Sequence, residues 1–291
     1  MQVNTNIISL KTQEYLRKNN EGMNQAQERL ASGKRINSSV DDAAGLAVVT
    51  RMNAKSTGLD TASKNSSQGV DLLQTADSAL SSMTSILQRM RQLSVQASNG
   101  TFSAEDRGQY SKEFGSLIKE LSHVADSTNY NNINLLDGSA ATVAVQASDK
   151  ANDTISIDLF DASALKDTDI AVTSVAADGT ETAATVAGYE GLSVGTAADA
   201  QQATQAIDSL INSISDGRAV LGAGMSRLNY NISNVNSQSI ATKQSASSIQ
   251  DADMAAEMSE QTKYKILTQT SISMLSQANQ TPQMLTQLIN G

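Results

Sequence analysis

Residues 207–249 read IDSLINSISDGRAVLGAGMSRLNYNISNVNSQSIATKQSASSI. A single heptad phase runs through them, stepping four and three residues by turns from Ile207 to Ile249. Ten of its thirteen positions are apolar, the exceptions being Arg218, Ser239 and Thr242. An apolar repeat of 3.5 residues held this long is a coiled-coil pattern. At 1.5 Å per residue such a helix extends roughly 65 Å. That length cannot fold back into a ball, so the helix must lie along partner helices.

The partners stand upstream. Leu73, Ala76, Leu80, Met83, Leu87, Met90 and Ala97 recur at steps of three and four, with Ser94 the one polar member of the phase. They form an apolar stripe on one helix face, widened by Ile86 and Leu93. Asn99-Gly100 stops that helix. A second helix starts near Ser103, where Glu105 and Asp106 fall in the first turn. Its stripe is Tyr110, Phe114, Leu117, Leu121 and Val124, and it ends before NYNNINLLDG (129–138), a segment rich in turn formers.

The middle of the chain has a different period. In TISIDLF (154–160), Ile155, Ile157 and Leu159 alternate with polar residues, and a similar alternation recurs over 170–173. Asp178-Gly179 is a hairpin-type turn signal. These features predict a small antiparallel β module. Residues 138–199 also hold ten acids against two lysines, whereas the remainder has twenty acids and nineteen bases. The acidic block argues against nucleic acid and for an exposed, solvated segment. The fold class expected is mainly α: a long antiparallel, coiled-coil-like helical rod drawn from both chain ends, with the β module inserted in the middle.

Composition agrees with narrow seams. Aromatics are 3%, Trp and Cys are absent, and the only proline is Pro282. Without Cys there is no disulfide, thiolate metal site or Cys nucleophile. No run of about 18 apolar residues is present, so no membrane insertion is expected. Residues 1–10 show no basic start followed by an apolar block, so no cleaved signal peptide is expected. The outermost segments are weaker helices, with large apolar groups such as Ile7, Leu10, Leu16, Met258, Leu267, Leu275, Leu285 and Leu288. Isolated helices of this kind are marginal in water and order by burying a face against something else.

Residues 28–48, ERLASGKRINSSVDDAAGLAV, carry several chemical suggestions. Gly33-Lys34 lacks the phosphate-loop pattern, since Glu28 and Arg35 stand where Gly and Ser or Thr are needed. It reads instead as a helix C-cap. Asp41 and Asp42 are neighbours on a helix and do not face each other. With Ser38 or Ser39 as N-cap, they read as a new helix start. The stretch 33–40 is therefore a joint, with Gly33, Asn37, Asp41 and Asp42 its defining residues.

Other motifs are weaker. Gly191-Leu192-Ser193-Val194-Gly195 matches a nucleophile elbow, but the single histidine, His123, precedes it and no parallel-sheet pattern surrounds it. Glu120-x-x-His123 has the spacing of half a di-iron site, and one histidine cannot supply the other half. Methionines at helical spacing read as seam fillers. No catalytic residue, metal or cofactor is expected.

Six stretches resemble bacterial flagellin: NTNIISL (4–10), RLASGKRINSSVDDAAGLAV (29–48), LQTADSALSSMTSILQRMRQLSVQASNGT (73–101), YNNINLLDGS (130–139), RAVLGAGMSRLNYNISN (218–234) and, over 249–289, IQDADMAAEMSEQTKYKIL followed by MLSQANQTPQMLTQLI. The resemblance covers both ends and leaves only roughly residues 140–200 outside it. The resemblance implies a non-enzymatic subunit that self-assembles into the flagellar filament for swimming. It implies an inner tube from 1–40 with 250–291, an outer tube from 41–138 with 200–249, and a variable outward-facing module over 139–199. Ile7, Leu10, Leu16, Leu267, Leu275, Leu285 and Leu288 would make subunit–subunit contacts. Implied partners are other copies, an export chaperone on the C-terminal arm, and filament cap and junction proteins. A host toll-like receptor would recognise Arg89, Leu93 and Glu113. The implied location is extracellular.

Three other readings remain at this point. A hook–filament junction protein shares the terminal helices but does not propagate. A secreted hydrolase would use Ser193. A Ser/Thr-rich β module could carry O-linked sugars.

Overall fold

The row of small and apolar residues spaced for one helix face becomes α2, Ala43–Ala97, a single 55-residue helix. The computed structural model describes residues 6–167, 169–175 and 181–290, without the side chains of 167, 174–175, 181–184 and 281–290. The remaining helices are α1 (Ile7–Ser32), α3 (Ala104–Ser127), the short α4 (Ala164–Asp167), α5 (Ala197–Gln250) and α6 (Met254–Asn290). Six strands stand between α3 and α5: β1 (Asn129–Tyr130), β2 (Ile133–Asn134), β3 (Thr142–Gln146), β4 (Thr154–Asp158), β5 (Asp169–Val175) and β6 (Glu181–Ala187). The chain is thus mainly helical, with antiparallel strands inserted in the middle. Its contacts divide it into two units, 1–57 with 239–291 and 58–238.

The second unit carries the core. Leu73, Ala76, Leu80, Met83, Leu87, Met90, Ser94 and Ala97 are all buried, as their period requires. Ser94 satisfies its hydroxyl by donating to Met90 O at 3.0 Å. From α5, Ile207, Ile214, Leu221 and Leu228 join the same cluster, and α3 adds Phe114, Leu121 and Ala125. The helices α2 and α5 run antiparallel. The polar exception in the heptad phase, Arg218, donates through Nε to Asp77 Oδ1 at 2.7 Å, and Arg91 pairs with Asp208 at 2.6 Å. The start of α3 is a capping box: Ser103 accepts from Asp106 N, and Asp106 accepts from Ser103 N. The hydroxyl and main chain of Ser103 hold the Asp106 carboxyl below its ordinary value.

The middle differs in detail from the expected module. Among the described residues it is three separate two-stranded hairpins, β1–β2, β3–β4 and β5–β6, with no sheet joining them. The β3–β4 hairpin packs on helix instead. Val145 of β3 lies against Gly69 of α2, while Ile157 of β4 and Phe160 lie against Gly224 and Gly217 of α5. Asn231 Nδ2 donates to Ala147 O at 2.9 Å. The turn formers of 129–134 make the tight β1–β2 link, with Asn131 and Asn132 at positive φ. The turn signal Asp178-Gly179 lies outside the described residues.

In the first unit α1 and α6 pair antiparallel. Asn6 Nδ2 donates to Ala278 O at 2.8 Å, Ser9 Oγ to Asn279 Oδ1 at 3.0 Å and Asn19 Nδ2 to Ser271 Oγ at 3.0 Å. The Tyr264 ring lies against Gly22, where a Cβ would stand 2.6 Å from it. Of the remaining polar seam positions of α5, Ser239 shares a hydrogen bond with Ser56 at 3.0 Å.

Candidate functional site

Among the described residues, the α1–α6 pair has no large apolar core of its own. Among the described side chains, the buried positions on these two helices are Ser9, Ala26, Glu257 and Ala278. Glu257, 8% exposed, meets Arg29 at 3.4 Å through one oxygen, while the other has no hydrogen-bond partner among the described residues. Many of the large side chains point away instead. Ile7, Ile8, Leu10 and Tyr15 on α1 are exposed, as are Met254, Met258, Ile266, Leu267, Ile272 and Met274 on α6. Ile7 is 59% exposed and Ile266 57%. Helices of a lone globular protein keep such residues inward. Exposed apolar side chains in this number mark an interaction face.

Of the assembly residues expected from sequence, Ile7, Leu10 and Leu267 are on this open surface, and Leu16 and Leu275 are half-buried. The side chains of Leu285 and Leu288 lie outside the described residues. Sequence reasoning passed over Ile8, Tyr15, Met254, Met258, Ile266, Ile272 and Met274 as site residues. Their apolar character was visible. Their exposure was not, because it depends on which face α1 offers α6.

The joint residues are brought together. Gly33 ends α1 in the left-handed region at φ +70°, with its N–H donating to Arg29 O. The segment that follows lies antiparallel to the α5–α6 link, through a bridge between Lys34 and Asp251. Arg35 N donates to Gln250 O at 2.7 Å and Ala252 N to Gly33 O at 3.0 Å. Arg35 Nη2 adds a bond to Ile249 O at 2.7 Å, and Ile36 is buried. Asn37 Nδ2 donates to Glu28 Oε1 at 3.3 Å.

The helix start differs from the expectation. The cap of α2 is Asp42, whose Oδ1 accepts from Gly45 N at 2.8 Å, not Ser38 or Ser39. Those serines belong to a separate turn closed on Asp41, whose Oδ2 accepts from Ser38 N at 2.9 Å and Asn37 N at 3.1 Å. These backbone N–H groups, Ser38 first and Asn37 second, hold the Asp41 carboxyl below its ordinary value. Each aspartate therefore satisfies a different piece of backbone, and neither is half of an acid–base pair.

On the second unit Arg89 Nε and Nη2 both donate to Glu113 Oε1, at 2.9 and 2.7 Å, and this pair is half-exposed. Leu93 is 1% exposed, a member of the core beneath them and not a surface group. It faces inward because it flanks the buried Met90–Ser94–Ala97 row. Ser193 lies in the loop between β6 and α5, its Oγ accepting from Gly195 N at 3.3 Å. His123 is exposed on α3. Among the described residues, no cluster of three His, Cys, Asp or Glu could hold a metal ion. No helix there is long and apolar enough to cross a membrane.

Comparison with known proteins identifies what such a pair of arms belongs to. Residues 3–141 match the profile described as bacterial flagellin N-terminal helical region, and residues 204–289 match the bacterial flagellin C-terminal helical region. The flagellin of Listeria monocytogenes is 77% identical over the full length of both chains. That of Bacillus subtilis is 38% identical, over 99% of this chain and 100% of its own. Among solved structures, flagellar hook associated protein-3 of Legionella pneumophila covers 69% of this chain and 99% of its own, with a TM-score of 0.51 at 14% identity. That last likeness is one of fold alone, whereas the flagellin identity runs from end to end. The chain belongs to the bacterial flagellin family and is a structural subunit of the flagellar filament.

Proposed function

We propose that the subunit polymerises by covering the open apolar faces of α1 and α6 with the same helices of neighbouring copies. The observation that carries this is the ten large apolar side chains exposed on those two helices among the described residues. Ile7, Leu10, Leu16, Leu267, Leu275, Leu285 and Leu288 make the contacts, joined by Ile8, Tyr15, Met258 and Ile266. A contact between different patches of successive copies does not close on itself and generates an open helical polymer. The ordering entropy of the arms is then met at assembly, which restrains early polymerisation.

In this reading residues 1–40 with 250–291 form the inner tube of the filament, 41–138 with 200–249 the outer tube, and 139–199 face outward. The paired connectors around Gly33, Asn37, Asp41 and Asp42 join inner to outer. The filament stands outside the cell, and the subunit leaves through the flagellar export route. The export chaperone holds the C-terminal arm and covers the apolar side of α6 in transit. Cap and junction proteins meet the filament ends through the same arms. A host toll-like receptor reads the Arg89–Glu113 pair, supported from below by Leu93.

Limited proteolysis tests the central claim. In the monomer, cleavage is expected to trim both ends back to about residues 40–250, because marginal helices open locally. The polymer is expected to resist. Equal resistance of arms in monomer and polymer would sink the coupling of folding to assembly.

A further inference from the structure

The turn between α2 and α3 contains Asn99-Gly100, one of two Asn-Gly pairs in the sequence, the other being Asn290-Gly291. Asn99 and Gly100 are both exposed. Two donors converge on Asn99. Thr101 N donates to the side-chain oxygen Oδ1 at 3.1 Å. Arg107 Nη2 donates to the main-chain oxygen of Asn99 at 3.1 Å, with a longer contact from Phe102 N at 3.4 Å. That main-chain carbonyl belongs to the peptide bond whose nitrogen is Gly100 N. When the Gly100 amide loses its proton, the charge spreads onto the same oxygen, next to the guanidinium. A cationic donor there favours the anion. Arg107 is itself fixed, since its Nε donates to Ala97 O at 2.9 Å. Phe102 is fixed as well, packing edge-on against Tyr110 at 5.6 Å. Gly100 brings no side chain to obstruct approach, and a Cβ built there would meet nothing within 4 Å.

We propose that Asn99-Gly100 is a built site of spontaneous covalent modification, in which Gly100 N closes on Asn99 Cγ and releases ammonia. Hydroxide or water takes the Gly100 amide proton. The nitrogen pair forms the N–Cγ bond, and the carbonyl π pair moves onto Oδ1. Thr101 N–H receives that charge, as fixed backbone donors do for tetrahedral intermediates. The pair then returns, the Cγ–Nδ2 bond breaks with its electrons on nitrogen, and that nitrogen takes a proton from water and departs as ammonia. A five-membered succinimide remains. Water adds to one of its two carbonyls and opens the ring, leaving aspartate or isoaspartate at residue 99. The balance is one water in and one ammonia out, with no oxidation. The product places a new carboxylate beside Arg107, and its isoaspartate form lengthens the α2–α3 turn by one backbone carbon.

The full-length chain, kept folded at mildly alkaline pH in heavy-oxygen water and digested at intervals, gives the test. The peptide holding residue 99 is expected to gain one heavy oxygen and to split into aspartyl and isoaspartyl forms. Arg107→Gln is expected to slow this about tenfold, the factor a charge-assisted hydrogen bond carries. Gly100→Ala is expected to suppress it further. In urea the parent and Arg107→Gln are expected to react at one rate, because the donors are then scattered. No conversion at residue 99 in the folded chain overturns the proposal. So does Arg107→Gln reacting as fast as the parent or faster, or a difference between the two that persists in urea.

Discussion

The α2–α5 seam and the α1–α6 pair are built from similar residues and treat them in opposite ways. In the second unit the large apolar groups Leu73, Leu80, Met83, Leu87 and Met90 face Ile207, Ile214, Leu221 and Leu228, and all are buried. In the first unit the α1–α6 contact is made by Asn, Ser, Ala and Gly with the Tyr264 ring, and ten large apolar groups among the described residues are exposed. Burying one such side chain stabilises by about 1.5–3 kcal/mol. The second unit realises that free energy within the chain. The first leaves it unrealised until another surface arrives. Apolar content therefore does not say whether a helix belongs to a core. Which face its intramolecular partner occupies decides that.

The sharpest way to break the contrast is to remove an arm. Deleting 1–32 or 254–291 is expected to abolish filament growth from seeds while the rest of the chain keeps its helical circular dichroism. Electron microscopy of seeded samples reads the outcome. Normal elongation by either truncated chain would show that the open faces are not the assembly surface.

Point substitutions probe the same division at single side chains. Leu87→Ala opens a cavity in the buried row, and about 2–5 kcal/mol of denaturation stability is expected to be lost. Leu267→Ala removes an exposed group, so the monomer's stability is expected to move by no more than about 0.5 kcal/mol, while elongation slows. If Leu267→Ala destabilised the monomer as much as Leu87→Ala, the arm would have a core of its own.

That division also marks what could be read from sequence. The rows Leu73–Ala97 and Ile207–Ile249 were legible because burial on a helix repeats at 3.5 to 3.6 residues. Ser103 and Gly33 were legible because capping is local chemistry. The α2 start was displaced, since Ser38, Ser39, Asp41 and Asp42 can all cap, and only the three-dimensional turn assigns Asp41 to Asn37 and Ser38 and Asp42 to Gly45. Strands β4 and β5 were legible as alternation, but not β1–β2, which read as turn formers, nor β3, nor the separation of the hairpins. The β3–β4 hairpin and Phe160 after it pack on Gly69, Gly217 and Gly224 of helices far away in sequence, and no local pattern announces such a seat. The outward direction of Ile8, Tyr15 and Met258 was hidden for the same reason.

Two left-handed glycines extend the contrast to the backbone. At Gly188, φ is +48° and a Cβ would stand 1.9 Å from Lys166 O, a main-chain atom that cannot step aside. Gly188→Ala is expected to cost about 3 kcal/mol, combining strain and overlap. Gly33 has φ +70° with nothing within 4 Å of a Cβ, so Gly33→Ala carries only the conformational term, about 1 kcal/mol. Denaturant unfolding of the two variants compares them directly. Equal losses would mean that close packing around Gly188 contributes nothing beyond its φ.

The smallest effect expected is at the joint, and it depends on pH. The Asp41 carboxylate accepts from Ser38 N and Asn37 N, and its pKa lies below the ordinary aspartate value of 3.8. A group depressed on folding stabilises fully above its unfolded pKa, and that contribution fades as pH falls through the folded one. From neutrality down to about pH 5 the turn is therefore expected to hold, and its loss belongs below the ordinary aspartate range. Hydrogen exchange at the Asn37 and Ser38 amides reads it, corrected for the pH dependence of intrinsic exchange. Their protection is expected to fall on acidification in the parent chain and to vary little with pH in Asp41→Asn, whose amide oxygen still accepts but cannot titrate. If both chains lost protection together, acid would be acting on the Gly33–Ala252 and Arg35–Gln250 pairing and not on Asp41. The connector would then be held by its partner strand alone.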